Sequence, residues 1–546
     1  MADVLVLGPV LRHVGDTTAQ VWVQTARPST VRVLDCEART FEVSGHHFAL
    51  VAVTGLTPDS RTPYEVHIDD EQVWPQPTSP FPASVIRTRG PDSDEHNRII
   101  FGSCRYSKVA DPKLAATLGI DALDAYSARM TGRPVEEWPD ALLLLGDQVY
   151  ADELTPANRR RIAERSDRHP DWPDDEIVDF TEYVGLYRDA WSDPEVRWLL
   201  STVPTAMIFD DHDIRDDWNT SLAWRTEMRA TTWWRHRIRS GLASYWVFQH
   251  IGNLPPEELA ADPDHQRVMA HDGDTWPLLV AMADRADAET DGAKGVRFSF
   301  RWDLGRSRFV MIDSRNGRIL EDGEHLMLGD SEFDWIENAV HAPGEIDHLV
   351  LGTSLPWLLP HAIGELQTVN EIAAAKPGWR GKLGETIRQA ADLEHWAAFR
   401  ASFDRLTAMI DKAASSGVAS VNVLSGDVHH SYAARADLPS RPPAPIHQLT
   451  CSPVHNKVDW YVRPGFRLGW SRAMRRFTES WSQRAGAPPK PVDWERLAGP
   501  LFGNTIATLD ITGRRAQVTF EQPVSAGALA QRARLDLTAV AVEAAS

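Results

Sequence analysis

Cysteine is scarce in this chain. The three cysteines among 546 residues, Cys36, Cys104 and Cys451, are far apart and odd in number. They form neither a Cys-x-x-Cys pair for zinc nor the even, closely spaced set of a disulfide-rich domain. A disulfide scaffold and a zinc finger are therefore excluded.

Long apolar runs and a targeting leader are also lacking. A run such as Ala141 to Leu145 is far shorter than the roughly 20 residues needed to cross a bilayer. The segment after Met1 has no positively charged leader, no twin-arginine pair and no signal-length apolar stretch. We therefore expect a cytoplasmic, soluble protein with no membrane span.

Basic residues are in the minority. Lys and Arg total 57 against 77 Asp and Glu, which gives a formal net charge of −20. This charge disfavours broad binding to nucleic acid or to anionic membranes, although a local basic pocket is compatible with it. We expect a small-molecule substrate, and the sequence identifies no partner protein.

The length and patterning of the chain indicate more than one domain. At 546 residues the chain exceeds one ordinary hydrophobic core. The stretch Gln20 to Gln24 alternates as a half-buried strand does. The stretch Gly55 to Val66 resembles a turn of the fibronectin type III sandwich, in which a tyrosine, here Tyr64, opens the next strand. We therefore predict a β-sandwich of the fibronectin III or immunoglobulin kind for residues 1–90, followed by a polar linker.

Beyond the linker, apolar strand-like runs alternate with helical segments rich in Trp, Arg and Glu, one of which is expected to run from Trp224 to Tyr245. This alternation predicts an α/β domain over residues 97–525, built as a mixed sheet sandwich covered by helices. Near its end, Asn504 to Ile511 and Ala516 to Phe520 flank a turn and predict a hairpin. Residues 526–546 are expected to form a tail or a short helix.

Four short polar segments, each directly after an apolar run, carry the residues that indicate chemistry. In a layered α/β protein such strand ends meet at one edge of the sheet, where ligands bind. The four segments are Gly102-Ser103-Cys104-Arg105, Gly146-Asp147-Gln148-Val149-Tyr150, Asp210-Asp211-His212-Asp213 and Ser425-Gly426-Asp427-Val428-His429-His430. Because these side chains bind metals and transfer protons, the pattern favours a metal-dependent hydrolase.

These residues also have structural explanations. Asp147 is as typical of a helix cap as of a carboxylate that bridges two cations. Tyr150 would suit core or rim packing, and a lone cysteine such as Cys104 is often a small buried hydrophobe. The acidic run 210–213 would suit a solvated loop, but the apolar residues directly before it place it at a sheet edge.

Together and in this order, the four segments resemble those of alkaline phosphatase D, the PhoD-like branch of the metallophosphoesterases. The likeness extends from Leu7 to about Pro523 and includes the β-rich N-terminal domain. It implies a four-layer α/β/β/α metallophosphoesterase sandwich with a site for two or more metal ions. It also implies hydrolysis of phosphate monoesters or diesters with Fe3+ and calcium, while zinc, manganese and magnesium stay open.

The resemblance implies a set of metal ligands. Cys104 and Tyr150 would bind iron, because a thiolate and a phenolate together suit a ferric ion, and Asp147 would hold two cations. Ordinary metallophosphoesterases have Asp-x-His in the first segment, so this chain departs from them there. Asp211 stands where those enzymes have an asparagine on the second metal, and an acidic oxygen favours calcium over zinc.

The last segment replaces the Gly-His-x-His ending of the wider superfamily. Asp427 is expected to bind a metal and His429 to face the metals or the phosphate. In an extended segment residues 427 and 429 share a face, so both side chains can enter one site. The neighbouring His430 would point away and be structural.

Three further residues are assigned to catalysis. His212 would bind the phosphate and protonate the leaving oxygen, with Asp213 orienting its ring. Arg105 is a candidate clamp for a phosphate oxygen, although a surface arginine fits as well. The expected reaction is in-line attack on phosphorus by a metal-activated hydroxide, without a phosphoenzyme.

The alternatives differ in class. One is a phosphodiesterase with the same site, another a non-catalytic metal-binding interaction protein, and a third a hydrolase of another ester. No Gly-x-Ser-x-Gly turn supports a serine hydrolase. Two insertions, residues 151–200 and 363–393, are candidate lids that select the alcohol part of the ester.

Overall fold

The computed structural model describes residues 4–90, 96–292, 295–320, 325–374, 378, 381, 384, 386–388, 393–457 and 463–538. The predicted linker lies mostly outside these residues, as does a large part of the second predicted lid. No helix in the described ranges is long and apolar enough to cross a membrane.

The strands follow the chain in three groups. The N-terminal group is β1 (Leu5–Val14), β2 (Ala19–Thr25), β3 (Thr30–Val33), β4 (Cys36–Arg39), β5 (Phe41–Val43), β6 (His46–Val53), β7 (Arg61–Pro63), β8 (Val66–Ile68), β9 (Glu71–Trp74) and β10 (Val85–Arg87). The next is β11 (His96–Gly102), β12 (Ala141–Leu145), β13 (Thr205–Ile208), β14 (Phe300–Leu304), β15 (Ser307–Ile312), β16 (His348–Thr353) and β17 (Ser420–Ser425). The last is β18 (Ser431–Asp437), β19 (Ile446–Thr450), β20 (Asp493–Leu501), β21 (Ile506–Thr512), β22 (Arg515–Ser525) and β23 (Ala528–Asp536).

The helices fall mainly between β11 and β20. The first eleven are α1 (Pro112–Leu118), α2 (Ala122–Thr131), α3 (Pro156–Ala163), α4 (Phe180–Trp191), α5 (Pro194–Thr202), α6 (Leu222–Ala230), α7 (Trp234–Tyr245), α8 (Ile251–Asn253), α9 (Pro256–Ala261), α10 (Pro263–Met269) and α11 (Trp276–Asp287). The others are α12 (Asp330–Val340), α13 (His361–Ala374), α14 (Arg400–Ala414), α15 (Arg463–Gly469) and α16 (Arg472–Ala485). A π-helical turn, Trp246–His250, joins α7 to α8.

The N-terminal region is all-β, as predicted. Its larger sheets have the antiparallel orders β1-β2-β6-β5 and β4-β3-β8-β9. Strand β2 is buried on both faces rather than half-buried, because its outward side is covered by the α/β region. Trp22 contacts Trp191 edge-on at 5.9 Å and lies 5.2 Å from Phe248 of the π-helical turn. The buried Arg12 also crosses the boundary and donates to Asn253 Oδ1 at 2.8 Å.

Two large sheets form the centre of the α/β region. One has the order β13-β12-β11-β21-β22-β23, with β11, β12 and β13 parallel and the other pairs antiparallel. The other has the order β14-β15-β16-β17-β19-β18-β20, with β15, β16, β17 and β19 parallel.

Side chains alternate across the second sheet and connect it to both neighbouring layers. In β16, Leu349 and Leu351 belong to the core under α12 and α14, whereas Val350 belongs to the core shared with the first sheet. This is the period-2 alternation of a strand that is covered on both faces. The result is the predicted four-layer α/β/β/α sandwich.

Two predicted elements differ from the structure. Residues 528–536 form strand β23, paired with β22, where a tail or short helix was expected. Leu529, Ala533 and Leu535 pack against the core at even spacing, which is a strand signal. The continuous helix expected over 224–245 is divided into α6 and α7. Thr231 ends α6 in an extended conformation, and its hydroxyl accepts a hydrogen bond of 3.2 Å from Trp234 N at the start of α7.

Candidate active site

The four polar segments meet at the carboxyl edge of the two sheets. The first three follow the parallel strands β11, β12 and β13, and the fourth follows β17 of the facing sheet. Backbone hydrogen bonds connect neighbouring segments, since Cys104 N donates to Gly146 O at 3.1 Å and Arg105 N to Asp147 O at 3.0 Å. The convergence expected from the sequence is therefore present.

Four of the candidate site residues at this edge have positive φ angles. Cys104, Asp147, Asp427 and His429 have φ values of 57°, 50°, 66° and 49°, in the left-handed region that L-residues rarely adopt. Such conformations persist where the surrounding structure enforces them, and they concentrate at functional sites.

Two glycines allow the segments to approach closely. A Cβ at Gly146 would lie 2.7 Å from Asp210 Cβ, and a Cβ at Gly426 would lie 2.2 Å from Ser103 Oγ. Neither position has room for a side chain, so each glycine is required for the packing of one segment on another.

The donor atoms form two groups that share one residue. Cys104, Asp147 and His429 have donor atoms within 4.8 Å of one another, and so do Asp147, Asp210 and Asp211. Asp147 therefore lies between a mixed sulfur, nitrogen and oxygen set and an all-carboxylate set. This arrangement matches a pair of cations with one carboxylate between them.

The electrostatics of these residues fit bound cations. Asp147 Oδ1 and Asp210 Oδ2 are buried without a hydrogen-bond partner in the structure. Burial, and then the charge of the neighbouring acids, raises the pKa of Asp147 well above its ordinary value. Burial likewise raises the pKa of the Cys104 thiol, and the charge of Asp147 raises it further. A metal ion supplies the positive charge that such a crowded set of buried donors lacks.

The Tyr150 hydroxyl lies next to Asp147, the residue that the two donor groups share. The hydroxyl is 3.4 Å from Asp147 Oδ2 and accepts a hydrogen bond of 2.8 Å from Asn456 Nδ2. The ring centroid of Tyr150 is 4.8 Å from that of His212.

Asp427 and His429 reach the site by a different path from the one expected. The segment is not extended, because Val428 N and His429 N donate back to the carbonyls of Gly426 and Asp427 in two tight turns. His429 joins the Cys104 group, while the Asp427 carboxylate lies 2.8 Å from His395 Nε2. Burial raises the pKa of Asp427, but the hydrogen bond and charge of His395, together with Arg315, lower it to about 2.

His430 is structural, in agreement with the sequence interpretation. Its Nδ1 is 2.7 Å from Val428 O, and its ring packs 4.3 Å from that of Phe466. Burial lowers its pKa to about 4.

His212 is oriented by a different acid from the one predicted. Its Nδ1 lies 2.9 Å from Asp152 Oδ1. Asp213 instead accepts backbone hydrogen bonds from Asp210 N at 2.9 Å and Val149 N at 3.3 Å, so it holds the loop rather than the ring. Burial lowers the pKa of His212, but Asp152 and the nearby acids outweigh it and raise the value well above normal.

Arg105 does not point to the site. Its guanidinium is buried against Asp121 at 2.8 Å and the Ala190 carbonyl, so the predicted phosphate clamp is wrong. Sequence gives the position of a residue at a strand end but not the side to which its side chain turns.

The arginine at the centre of the site is Arg315, which sequence reasoning missed. It lies 2.5 Å from Asp210, 3.2 Å from Asp211 and 3.4 Å from Asp427, and it also pairs with Glu394 at 2.5 Å. It is fully buried, so it fixes the carboxylates rather than reaching into the cleft. The available signal was its place directly after the apolar strand β15, a fifth strand end at the same edge.

The donor groups open into a cleft with a volume of about 570 Å³. One wall carries the acids and histidines together with Lys457, which lies in the loop after β19. The apolar part of the lining, called here the apolar wall, consists of Leu359, Ile363, Leu366, Leu393, Val428 and Phe466. The cleft therefore contains both the candidate ion-binding residues and an apolar surface that suits an apolar part of a ligand.

The predicted lids contribute unequally to this cleft. Glu153 is the described lining residue from the 151–200 segment, whereas Ile363, Leu366 and Leu393 come from the 363–393 segment. Trp379 and Arg380 of the second predicted lid lie outside the described residues.

Comparison with known proteins decides the family. The family model of the PhoD-like phosphatases matches residues 123–485, which is well over half of the chain. The chain belongs to the PhoD-like phosphatase family. A domain of unknown function (DUF7800) matches residues 2–86, in the all-β region. No curated protein matches the chain.

A solved structure titled "Structure of PhoD" has the same fold. It aligns with a TM-score of 0.59 at 11% identity and covers 100% of this chain and 94% of the other. An amylomaltase from Corynebacterium glutamicum aligns at 11% identity with a TM-score of 0.11, over 88% of this chain and 54% of the other, which is too low to compare folds. PhoD-like phosphatases are metal-dependent hydrolases, and the two donor groups around Asp147 fit that property.

Proposed function

We propose that this chain hydrolyses phosphate esters in the cleft above Asp147. The observation that carries the proposal is the single buried carboxylate shared by two donor groups, next to a histidine that faces the cleft. Water adds to phosphorus, the bond from phosphorus to the alcohol oxygen breaks, and phosphate and an alcohol leave. We also keep the division into a domain of residues 1–90 and a catalytic domain from residue 97 as part of the proposal.

The donor sets specify different ions. Cys104, with His429 and the adjacent Tyr150, suits Fe3+, and the carboxylates of Asp210 and Asp211 suit calcium. Zinc, manganese or magnesium are the competing occupants. When bound, the ions supply Lewis acidity toward the phosphate oxygens and lower the pKa of a bound water.

His212 is the proposed proton donor to the leaving oxygen. It lines the cleft, and its Nδ1 is directed to Asp152, which leaves Nε2 on the other side of the ring. The adjacent acids favour the protonated ring, and Asp152 fixes its orientation.

Lys457 replaces Arg105 as the proposed contact to a phosphate oxygen. Its exposed side chain belongs to the cleft wall, whereas the buried guanidinium of Arg315 is engaged by four acids. An ammonium group binds phosphate as a point charge.

A phosphodiesterase is the second candidate. The apolar wall provides a surface for the ester group of a diester in addition to the leaving alcohol. A non-catalytic metal-binding protein would use the same donors but would not need a protonated histidine in the cleft.

The test compares p-nitrophenyl phosphate with bis-p-nitrophenyl phosphate as substrates of the protein loaded with iron and calcium. We expect turnover of at least one, a loss of more than about 100-fold in Asp147→Asn, and a raised KM in Lys457→Gln. Asp334→Asn, an exposed change on α12, is the control and should keep full activity. Turnover of neither ester by the loaded protein would support the non-catalytic alternative.

A further inference from the structure

The α15–α16 hairpin exposes large hydrophobic side chains. Leu468 is 53% exposed, Phe477 64% and Trp481 46%. In the described ranges, Phe477 and Trp481 are the two aromatic residues among the large exposed hydrophobics. They are one helical turn apart on α16 and therefore share a face. Exposed apolar surface grouped in this way marks an interaction site.

The same segment is strongly basic on an acidic chain. Residues 463–485 contain six arginines and one acidic residue, Glu479, while the whole chain carries a net charge of −20. Arg472, Arg476 and Arg484 are all exposed on α16. At 3.6 residues per turn, Arg484 lies nearest the two aromatics, Arg476 borders them, and Arg472 lies at the far edge of the exposed face. Glu479 is turned away and pairs with Arg475 at 2.7 Å.

The hairpin is attached to strand β20 by an ion pair and lies beside the cleft. Arg475 also lies 2.8 Å from Asp493 of β20, which attaches α16 to the sheet. Phe466 of α15 lines the cleft, and α13, which packs on α16, carries Ile363 and Leu366 of the same apolar wall. The exposed patch and the cleft are thus supported by the same elements.

We propose that α15–α16 docks the protein on an anionic lipid surface. Aromatic and aliphatic side chains bordered by arginines are the composition of helices that lie in the membrane interface. Each arginine near an anionic leaflet adds attraction. Because the chain as a whole has a net charge of −20, a basic face such as this one is favoured for the approach. The charge that disfavours broad membrane binding therefore fixes the orientation of a local contact.

A second copy of the chain fits this patch less well. A two-fold dimer through α16 would place the same arginines against each other. A lipid surface supplies both the apolar layer and the opposite charge that the patch requires.

The experiment is sedimentation of the full chain with vesicles of phosphatidylcholine alone and with vesicles of equal parts phosphatidylcholine and phosphatidylglycerol. We expect binding to the second kind only, weakened by high salt. Phe477→Ser/Trp481→Ser should lower the affinity about tenfold or more, and Arg472→Gln/Arg476→Gln/Arg484→Gln on the order of 100-fold.

Control variants change other exposed residues outside the hairpin. Leu222→Ser/Met269→Ser removes apolar surface, and Arg159→Gln/Arg160→Gln/Arg235→Gln removes three positive charges, and both should bind as the unchanged protein does. Unchanged thermal unfolding of every variant shows that the fold is kept. The readout needs no turnover, so it is independent of the proposed activity.

Three results would overturn the proposal. One is no sedimentation with either vesicle, and another is equal binding by all variants. The third is a dimer in sedimentation equilibrium that both α16 variants dissociate, because the patch would then be covered by a second copy.

Discussion

Asp147 is the residue of the site that belongs to both donor groups. It is buried, it adopts a left-handed backbone conformation, and one of its carboxylate oxygens has no partner in the structure. Each of these features costs folding free energy, and together they place one carboxylate between two donor groups. Such a residue is explained by what it binds rather than by what it contributes to stability.

The proton transfer assigned to His212 can be tested by the leaving group. His212→Ala should lower kcat about 10²–10⁴-fold for an alkyl phosphate and much less for p-nitrophenyl phosphate, whose phenolate leaves without protonation. Asp152→Asn should show the same preference with a smaller loss, because it acts through the ring of His212. Equal losses on both substrates would assign His212 to binding.

Two catalytic assignments made from the sequence failed at the level of single side chains. Arg105 and Asp213 lie at the predicted edge, but their side chains bind Asp121 and backbone amides respectively. Asp152 has the role expected of Asp213 as the ring partner of His212, and the buried Arg315 pairs with the acids of the site instead of contacting the cleft. Side-chain direction depends on tertiary packing that a local pattern does not contain.

The elements were predicted better than the side chains. Apolar runs followed by polar segments located the ends of β11, β12, β13 and β17. These ends lie together because the carboxyl ends of parallel strands meet at one edge of a sheet. The extended conformation expected for residues 427–429 was wrong, since two tight turns with positive φ angles form there. Glu394 and His395 come directly after the second predicted lid, and no strand precedes them to indicate that they approach the site.

The turn after β12 gives an element-scale prediction. Gly146→Ala adds a Cβ 2.7 Å from Asp210 Cβ at a φ of 115°, so it should both strain the turn and displace Asp210. Gly273→Ala, at a φ of 93° with nothing within 4 Å, is the control for backbone strain alone. We expect the control to lower the free energy of unfolding by about 1–2 kcal/mol and keep activity.

Gly146→Ala should lower the free energy of unfolding further and also reduce metal content and turnover. Denaturant unfolding and elemental analysis of both variants measure the difference. Equal behaviour of the two variants would show that the close approach to Asp210 is not required.

For the whole molecule, buried neutral histidines make stability depend on pH. Burial, and then the charges of Arg297 and Arg12, lowers the pKa of His250 to about 3. His250 binds a proton near pH 6.5 in the unfolded chain but only near pH 3 in the folded chain. Its contribution to the free energy of unfolding is therefore fully present above pH 6.5 and is lost as the pH falls below it. Between pH 7.5 and 5.5 this group should cost about 1.4 kcal/mol of unfolding free energy.

His250→Phe isolates this contribution, because other groups act in the opposite direction. Burial and the nearby acids raise the pKa of Asp124 to about 8, for example. Denaturant unfolding at the two pH values should show a drop smaller by about 1.4 kcal/mol in His250→Phe. His271→Phe, at an exposed position, should retain the full drop. An equal drop in both variants would mean that His250 is protonated in the folded protein.

The net charge illustrates what composition can predict about a whole molecule. The value of −20 describes the chain as a whole and gives no information about where its arginines gather. Their position on α15–α16 beside exposed aromatics follows from the fold, and it supports the proposed lipid contact.

Elemental analysis of the purified chain tests the central claim most directly. We predict about two metal ions per chain, iron and calcium, and a loss of both in Asp147→Asn, because its carboxylate belongs to both donor groups. Asp334→Asn should keep both ions. A chain that takes up no metal after incubation with these ions, or an Asp147→Asn variant that keeps both, would contradict the account.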